Sequence, residues 1–364
     1  MHNLLNKKTI VFAALFFAAF SPAQIIRKYS NEFLNVGAGG RGLAMGGAVI
    51  TSQDDVYSPM WNPAGLLGVQ NEWQGALMHA EYFESIAKYD YAGYAKALDN
   101  GNAFGISVVR LGVDNILNTT QMIDSEGNID YDKISSFSAA DYAALLTYAF
   151  HPNDNYRWAF GGTAKVVYRN IGKFASGFGF GFDLGTIDTA DNGWRYGAML
   201  RDAITTVNFW TINQKELSAV VNGEEFNPAP KDKMELTMPK LNAGLGRTFE
   251  LNRDFTLAPE AGLNIEFAKT AALVSTDFAS ITPYVGAELG YDKMIFVRAG
   301  VNRFQSITDI ESQKRGVSFQ PGAGIGIKYK GLTLDYAISN SGLGGSNFYS
   351  NFFSLKLDMA GFKE

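Results

Sequence analysis

The sequence predicts an all-β protein: a transmembrane antiparallel β-barrel of about fourteen strands, with an N-terminal segment folded into its lumen. Three observations carry the expectation. The chain opens on an export leader, it alternates apolar and polar residues in long runs after position 70, and its long polar insertions share one side of the strand order.

The leader comes first. Lys7 and Lys8 precede the apolar run Thr9 to Phe20, followed by Ser21-Pro22-Ala23. A positive start, a short apolar core and small residues before the cut make a secretory signal peptide, with cleavage after Ala23. The run is too short to span a bilayer as a helix. The predicted division is therefore a signal peptide at 1–23, a lumen segment at 24–69 and a barrel at 70–364.

Composition agrees. Of 364 residues, 46% are hydrophobic and 18% charged, below the share of about a quarter usual in soluble domains. Glycine (39), Phe (27) and Tyr (17) are abundant, which suits closely packed strands with aromatic anchors. The chain has no cysteine, so disulfides, thiolate metal sites and a lipidated N-terminus are excluded. The net charge of -5 is spread out, and no basic stripe points to nucleic acid.

The alternation is clear along Phe178, Phe180, Phe182 and Leu184, which interleave with Gly177, Gly179, Gly181 and Asp183. It recurs from Phe255 to Phe267, from Leu332 to Ile338 and from Phe353 to Met359. In a strand each set faces one side of the sheet. One face is greasy and aromatic; the other, glycine-rich and polar, suits a lumen. Such runs are longer than ordinary strands and match the length of a tilted membrane strand. The candidate strands fall near 70–80, 87–98, 102–112, 140–151, 156–169, 175–187, 193–205, 238–249, 255–268, 281–292, 294–304, 316–329, 331–340 and 350–360. Pro259 and Pro321 are expected at bulges or strand ends. The polar insertions at 113–139, 206–237, 269–280 and 305–315 all follow odd-numbered strands. Short periplasmic turns and long outer loops would place all four outside, in a barrel of the outer membrane.

The segment before the barrel is different. It holds Gly37, Gly39, Gly40, Gly42, Gly46 and Gly47 around Arg41, then Asp54-Asp55 and Trp61-Asn62-Pro63-Ala64-Gly65-Leu66. No Gly-Lys-Ser/Thr follows the glycines, and no βαβ unit frames them, which argues against a phosphate loop. Tight backbone packing inside a pore is the reading preferred here. Pro63 fixes φ, Asn62 caps the turn and Gly65 permits a tight exit. Asp54 and Asp55 are expected to cap a short helix or meet a lumen arginine; two adjacent acids alone make a poor cation site.

Those residues, from Val36 to Ala48 and then through Asp54, Asp55 and Trp61 to Leu66, resemble the opening of the PorV/PorQ proteins. That group lies within the wider set of barrels similar to the FadL fatty-acid transporter. The resemblance implies fourteen strands and an N-terminal region inside the lumen. It also implies a non-enzymatic adaptor of the type IX secretion system. Its partners would be the translocon barrel and secreted proteins bearing a C-terminal sorting domain. The outer loop with Phe226, Pro228 and Pro230 is the candidate contact, because exposed Phe and Pro dock at small ordering cost.

Chemistry is sparse. His79 and His151 lie near predicted strand ends, and no nucleophile elbow or zinc helix motif occurs. No catalytic residue, metal or cofactor is expected. Trp73, Tyr82, Trp158, Trp194, Trp210, Tyr284 and Tyr291 are expected in the aromatic girdles that meet membrane lipid. The alternative to an adaptor is a FadL-like channel for hydrophobic small molecules. It would have an apolar pocket, a gap in the wall and the N-terminal segment as gate, its glycines serving as hinges or as packing.

Overall fold

The computed structural model describes residues 30–70, 72–99, 101–124, 126–152, 156–221, 224–226, 233–308, 315–340 and 349–362. The expected signal peptide lies outside the described residues, as do Pro228 and Pro230.

Fourteen strands form one closed antiparallel wall. They are β1 (Trp73–Tyr82), β2 (Ala87–Ala97), β3 (Ala103–Asn118), β4 (Ser135–Phe150), β5 (Trp158–Ile171) and β6 (Ala175–Thr189). β7 runs Trp194–Arg201 and resumes at Thr206–Ile212; β8 runs Met234–Thr237 and resumes at Lys240–Arg247. Then follow β9 (Phe255–Glu266), β10 (Ser280–Tyr291), β11 (Ile295–Thr308), β12 (Arg315–Tyr329), β13 (Leu332–Asn340) and β14 (Tyr349–Asp358). The wall closes where β1 pairs with β14, Leu77 opposite Leu355 and His79 opposite Phe353. Closure removes the unpaired edge that lipid would not tolerate.

The two faces separate as the alternation requires. On β6, Phe178 and Phe180 are 52% and 51% exposed, whereas Gly177 and Gly179, which alternate with them, are buried. Every predicted strand has its counterpart, and the differences lie at strand ends. The ladder of β3 with β4 continues past Val113 through a bulge at Asn115 (φ 58°) to Asn118 opposite Ser135. The expected 113–139 loop thereby shrinks to 119–134. Likewise Thr206–Phe209 pairs with Met234–Thr237, extending the wall into the expected 206–237 insertion. A polar sequence at a strand end carries no sign of whether its backbone still has a partner. Pro259 sits inside β9, opposite Ala287 of β10 and beside a break in the β8–β9 ladder between Gly246/Glu260 and Phe249/Leu257.

Candidate functional site

The N-terminal segment fills the lumen as a compact plug. It consists of a 3-10 turn at Glu32–Asn35, a short helix α1 (Gly40–Ala44) and 3-10 turns at Ser58–Met60 and Pro63–Gly68. Leu34, Met45, Val49, Ile50, Val56, Met60 and Leu66 make its almost wholly buried apolar centre. Trp61 is the hub. Its ring lies where a Cβ on Gly37 or Gly42 would stand, and its Nε1 donates to the Ala38 carbonyl at 2.7 Å. Gly46 has φ +62°, and a Cβ there would come within 2.8 Å of the Val301 amide nitrogen on β11. The wall is equally bare where it meets the plug: Gly300 and Gly286 face the Met45 carbonyl, and Gly161 faces Pro63. Gly46 of the plug and these wall glycines are thus two sides of one close contact.

Charges tie the plug to the wall. Asp55 accepts from Lys356 Nζ on β14 at 2.6 Å, from Gln53 Nε2 at 2.7 Å and from the Tyr57 amide at 2.9 Å. The expectation was a helix cap or a lumen arginine; at Asp55 the structure supplies a lysine and a local turn. Burial pushes the Asp55 carboxyl upward, but Lys356 and these hydrogen bonds outweigh it, so it titrates below its ordinary value. A depressed carboxylate stabilises the fold above its unfolded value of about 3.9 and loses that contribution as pH falls toward its folded value. Acidification below about pH 4 is therefore expected to loosen the plug, with Asp55→Asn flattening that part of the profile. Protease access to residues 30–70 as a function of pH checks this, and identical profiles for both proteins would count against it. Asp54 is more exposed, 3.9 Å from Arg195 Nη1.

A second ladder crosses the lumen. Arg41 Nε donates to Glu288 on β10 at 2.9 Å; Glu288 also takes Arg298 of β11, which reaches Asp335 of β13. Arg41 Nη1 binds the Ser52 carbonyl as well. Glu260 of β9 accepts from the Thr51 amide and hydroxyl, and Arg201 of β7 donates to the carbonyls of Leu34 and Met60. Asn62 caps Ala64 through its Oδ1, while its amide reaches the carbonyls of Ile50 and of Thr186 on β6. The wall positions in these contacts were not among the residues singled out from the sequence. Their only mark there is an inward place in the strand alternation.

The wall has a deep irregularity in β7. Between Leu184/Leu200 and Phe180/Val207 the register skips, so that 181–183 on β6 faces 201–206 on β7. Lys165 of β5 bridges Asp183 and Asp202 across this break, and the Ala203 amide donates to the Phe182 carbonyl. Close by, a concavity of about 620 Å³ opens on the outer wall, lined by Phe160, Phe182, Leu184, Leu200 and Leu241 among others. The channel alternative expected an apolar pocket leading to a gap in the wall. This one lies on the lipid side, while the interior beside it is occupied by the plug.

Among the described residues no group of three or more His, Asp and Glu is placed to hold a metal. His79 Nδ1 lies 2.7 Å from Asp90 and His151 Nδ1 lies 2.8 Å from the Trp158 carbonyl. Of the expected girdle aromatics, Trp158 and Tyr291 face outward, but Tyr82 and Tyr284 are buried in the interior. Trp210 also turns inward, against Gly177 and under Arg169.

No family model matches the chain, and no curated protein matches it. Solved structures do. The toluene transporter TbuX of Ralstonia pickettii superposes with a TM-score of 0.57 at 14% identity, over 90% of this chain and 99% of that one. The toluene transporter TodX of Pseudomonas putida gives 0.54 at 15% identity, over 88% and 96%. CymD, a monoaromatic hydrocarbon channel, gives 0.51 at 12% identity, over 89% and 97%. At such identities the likeness is one of fold. The chain is a multi-pass β-barrel of the outer membrane.

These findings overturn the PorV/PorQ expectation and, with it, the type IX translocon and secreted cargo as partners. The physical reason is visible in the plug. The residues that carried the resemblance are spent on seating a backbone against a wall, a need set by the fold and silent about partners. In the loop that was expected to be the contact, Glu224–Phe226 pairs with Ala219–Val221 as a small hairpin.

Proposed function

We propose that the protein is a non-enzymatic channel through which small hydrophobic molecules cross the outer membrane. The observation that carries this reading is the superposition of 88–90% of the chain on barrels described as toluene transporters and a monoaromatic hydrocarbon channel. The interior supports it. A plug with an apolar centre, pinned by glycine contacts and ion pairs, does not suit a water-filled sieve for polar solutes. The broken β7 ladder beside an apolar outer concavity gives a greasy solute a surface to meet on leaving the polar interior.

The test is uptake. Cells whose outer membrane gains this barrel should take up toluene several-fold faster than cells without it, while a sugar of similar size gains nothing. Equal gains for both would indicate a general pore. No gain for toluene or for a long-chain fatty acid would end the proposal.

A further inference from the structure

The outer face of β1–β3 carries charge where a barrel wall should be greasy. His79 on β1, Asp90 on β2 and Arg110 on β3 share one register row and point outward, like their neighbours Leu77 and Val108. His79 Nδ1 is 2.7 Å and Arg110 Nη1 3.3 Å from the Asp90 carboxylate, and Arg110 also lies against the Tyr142 ring of β4. The row stands three residues, roughly 10 Å along the strand, below the β1–β2 hairpin that begins after Tyr82. Between row and tip the polar strip continues: Glu81 accepts from Ser85, and Lys88 pairs with Asp114 of β3. Ionised groups facing hydrocarbon are costly, so a strip of them marks a place where something polar meets the wall.

Directly beside this row lies a concavity of about 680 Å³ on the same outer face, reaching across to β12–β14. Leu77, Ala92, Val108, Ile325, Leu334 and Phe353 line it. Ala92 sits between Leu77 and Val108 in the register, and its small side chain leaves room there. An apolar trough with a charged row at its edge has the polarity of a lipid. The charges fit a phosphate: Asp90 holds His79 and Arg110 in place at the edge of the trough, and Arg110 engages Asp90 through Nη1.

We infer that this face binds a phosphate-bearing membrane lipid, its acyl chain in the trough and its phosphate on Arg110 and His79. The inference stands apart from the transport reading, since no lumen residue takes part.

The test uses the full barrel, delipidated in detergent and titrated with dimyristoyl phosphatidylglycerol or with diacylglycerol of the same chains, read by native mass spectrometry. The wild type should retain the phosphatidylglycerol one to one and the diacylglycerol poorly. The double variant Arg110→Gln/His79→Gln should weaken retention about tenfold or more, by loss of charge-assisted hydrogen bonds. Ala92→Phe, which fills the trough and leaves the charges, should weaken it too. All these positions face outward, and heat-modifiable migration on gels verifies that each variant is folded. Equal retention of the two lipids, or wild-type retention by both variants, would overturn the inference. So would a photo-crosslinker at Leu77 that captures a second copy or another protein in native membranes instead of lipid.

Discussion

Trp61→Ala is expected to open a conducting path through a barrel that otherwise remains folded. The indole occupies the space left by Gly37 and Gly42 and holds the Ala38 carbonyl, so its removal leaves a void where the plug's two halves meet. Truncating a buried Trp costs about 3–5 kcal/mol. That loss falls on the plug, because the wall is held by its own closed ladder of hydrogen bonds. The plug should then open more often, and planar-bilayer recordings should show conductance well above the wild type. Trp61→Phe, which keeps most of the ring volume, should lie between the two. Wild-type conductance in the alanine variant, with residues 30–70 still protected from protease, would mean that the plug is seated by its other contacts alone.

The second large effect is expected at Glu288. This carboxylate lies between Arg41 of the plug and Arg298 of the wall, with side-chain exposures of 13%, 18% and 3%. Glu288→Ala leaves two guanidiniums without their shared counter-ion, although Arg298 keeps Asp335. Removing one member of a buried ionic network costs about 3–5 kcal/mol, most of it the penalty of the unpaired charge that remains. Urea unfolding in detergent micelles should show a loss of that order. The double variant Glu288→Ala/Arg41→Met should recover part of it, because one of the stranded cations is gone. If the double variant were as unstable as the sum of its parts, the two residues would be near each other without being coupled.

Much of this architecture was open to reading in the chain itself. Fourteen strands could be placed because a wall between lipid and lumen imposes a period of two, and that period is a local property. The strand ends were harder. Whether residues 113–118 or 206–212 stay in the ladder depends on a partner strand across a long loop, which local sequence does not encode. Aromatic residues mislead in the same way. Tyr82, Tyr284 and Trp210 have the amphipathic character of girdle residues, yet their place in the alternation turns them inward.

The motif Trp61-Asn62-Pro63-Ala64-Gly65 was legible as a packed turn, but the partners inferred from its resemblance were wrong. A motif whose job is close backbone approach reports the surface it is pressed against, and similar barrels share that surface whatever passes through them.

What the sequence by itself determined, then, was the alternating wall and a glycine-rich segment apart from it, since both follow from spacing along the chain. What only the tertiary structure decided was how the segment is held. Arg41 meets Glu288 across 247 positions and Asp55 meets Lys356 across 301, pairings that closure of the barrel creates. Before closure these charges have no common address; once β14 joins β1, the lumen confines them at low solvent exposure and pairing becomes the cheapest state.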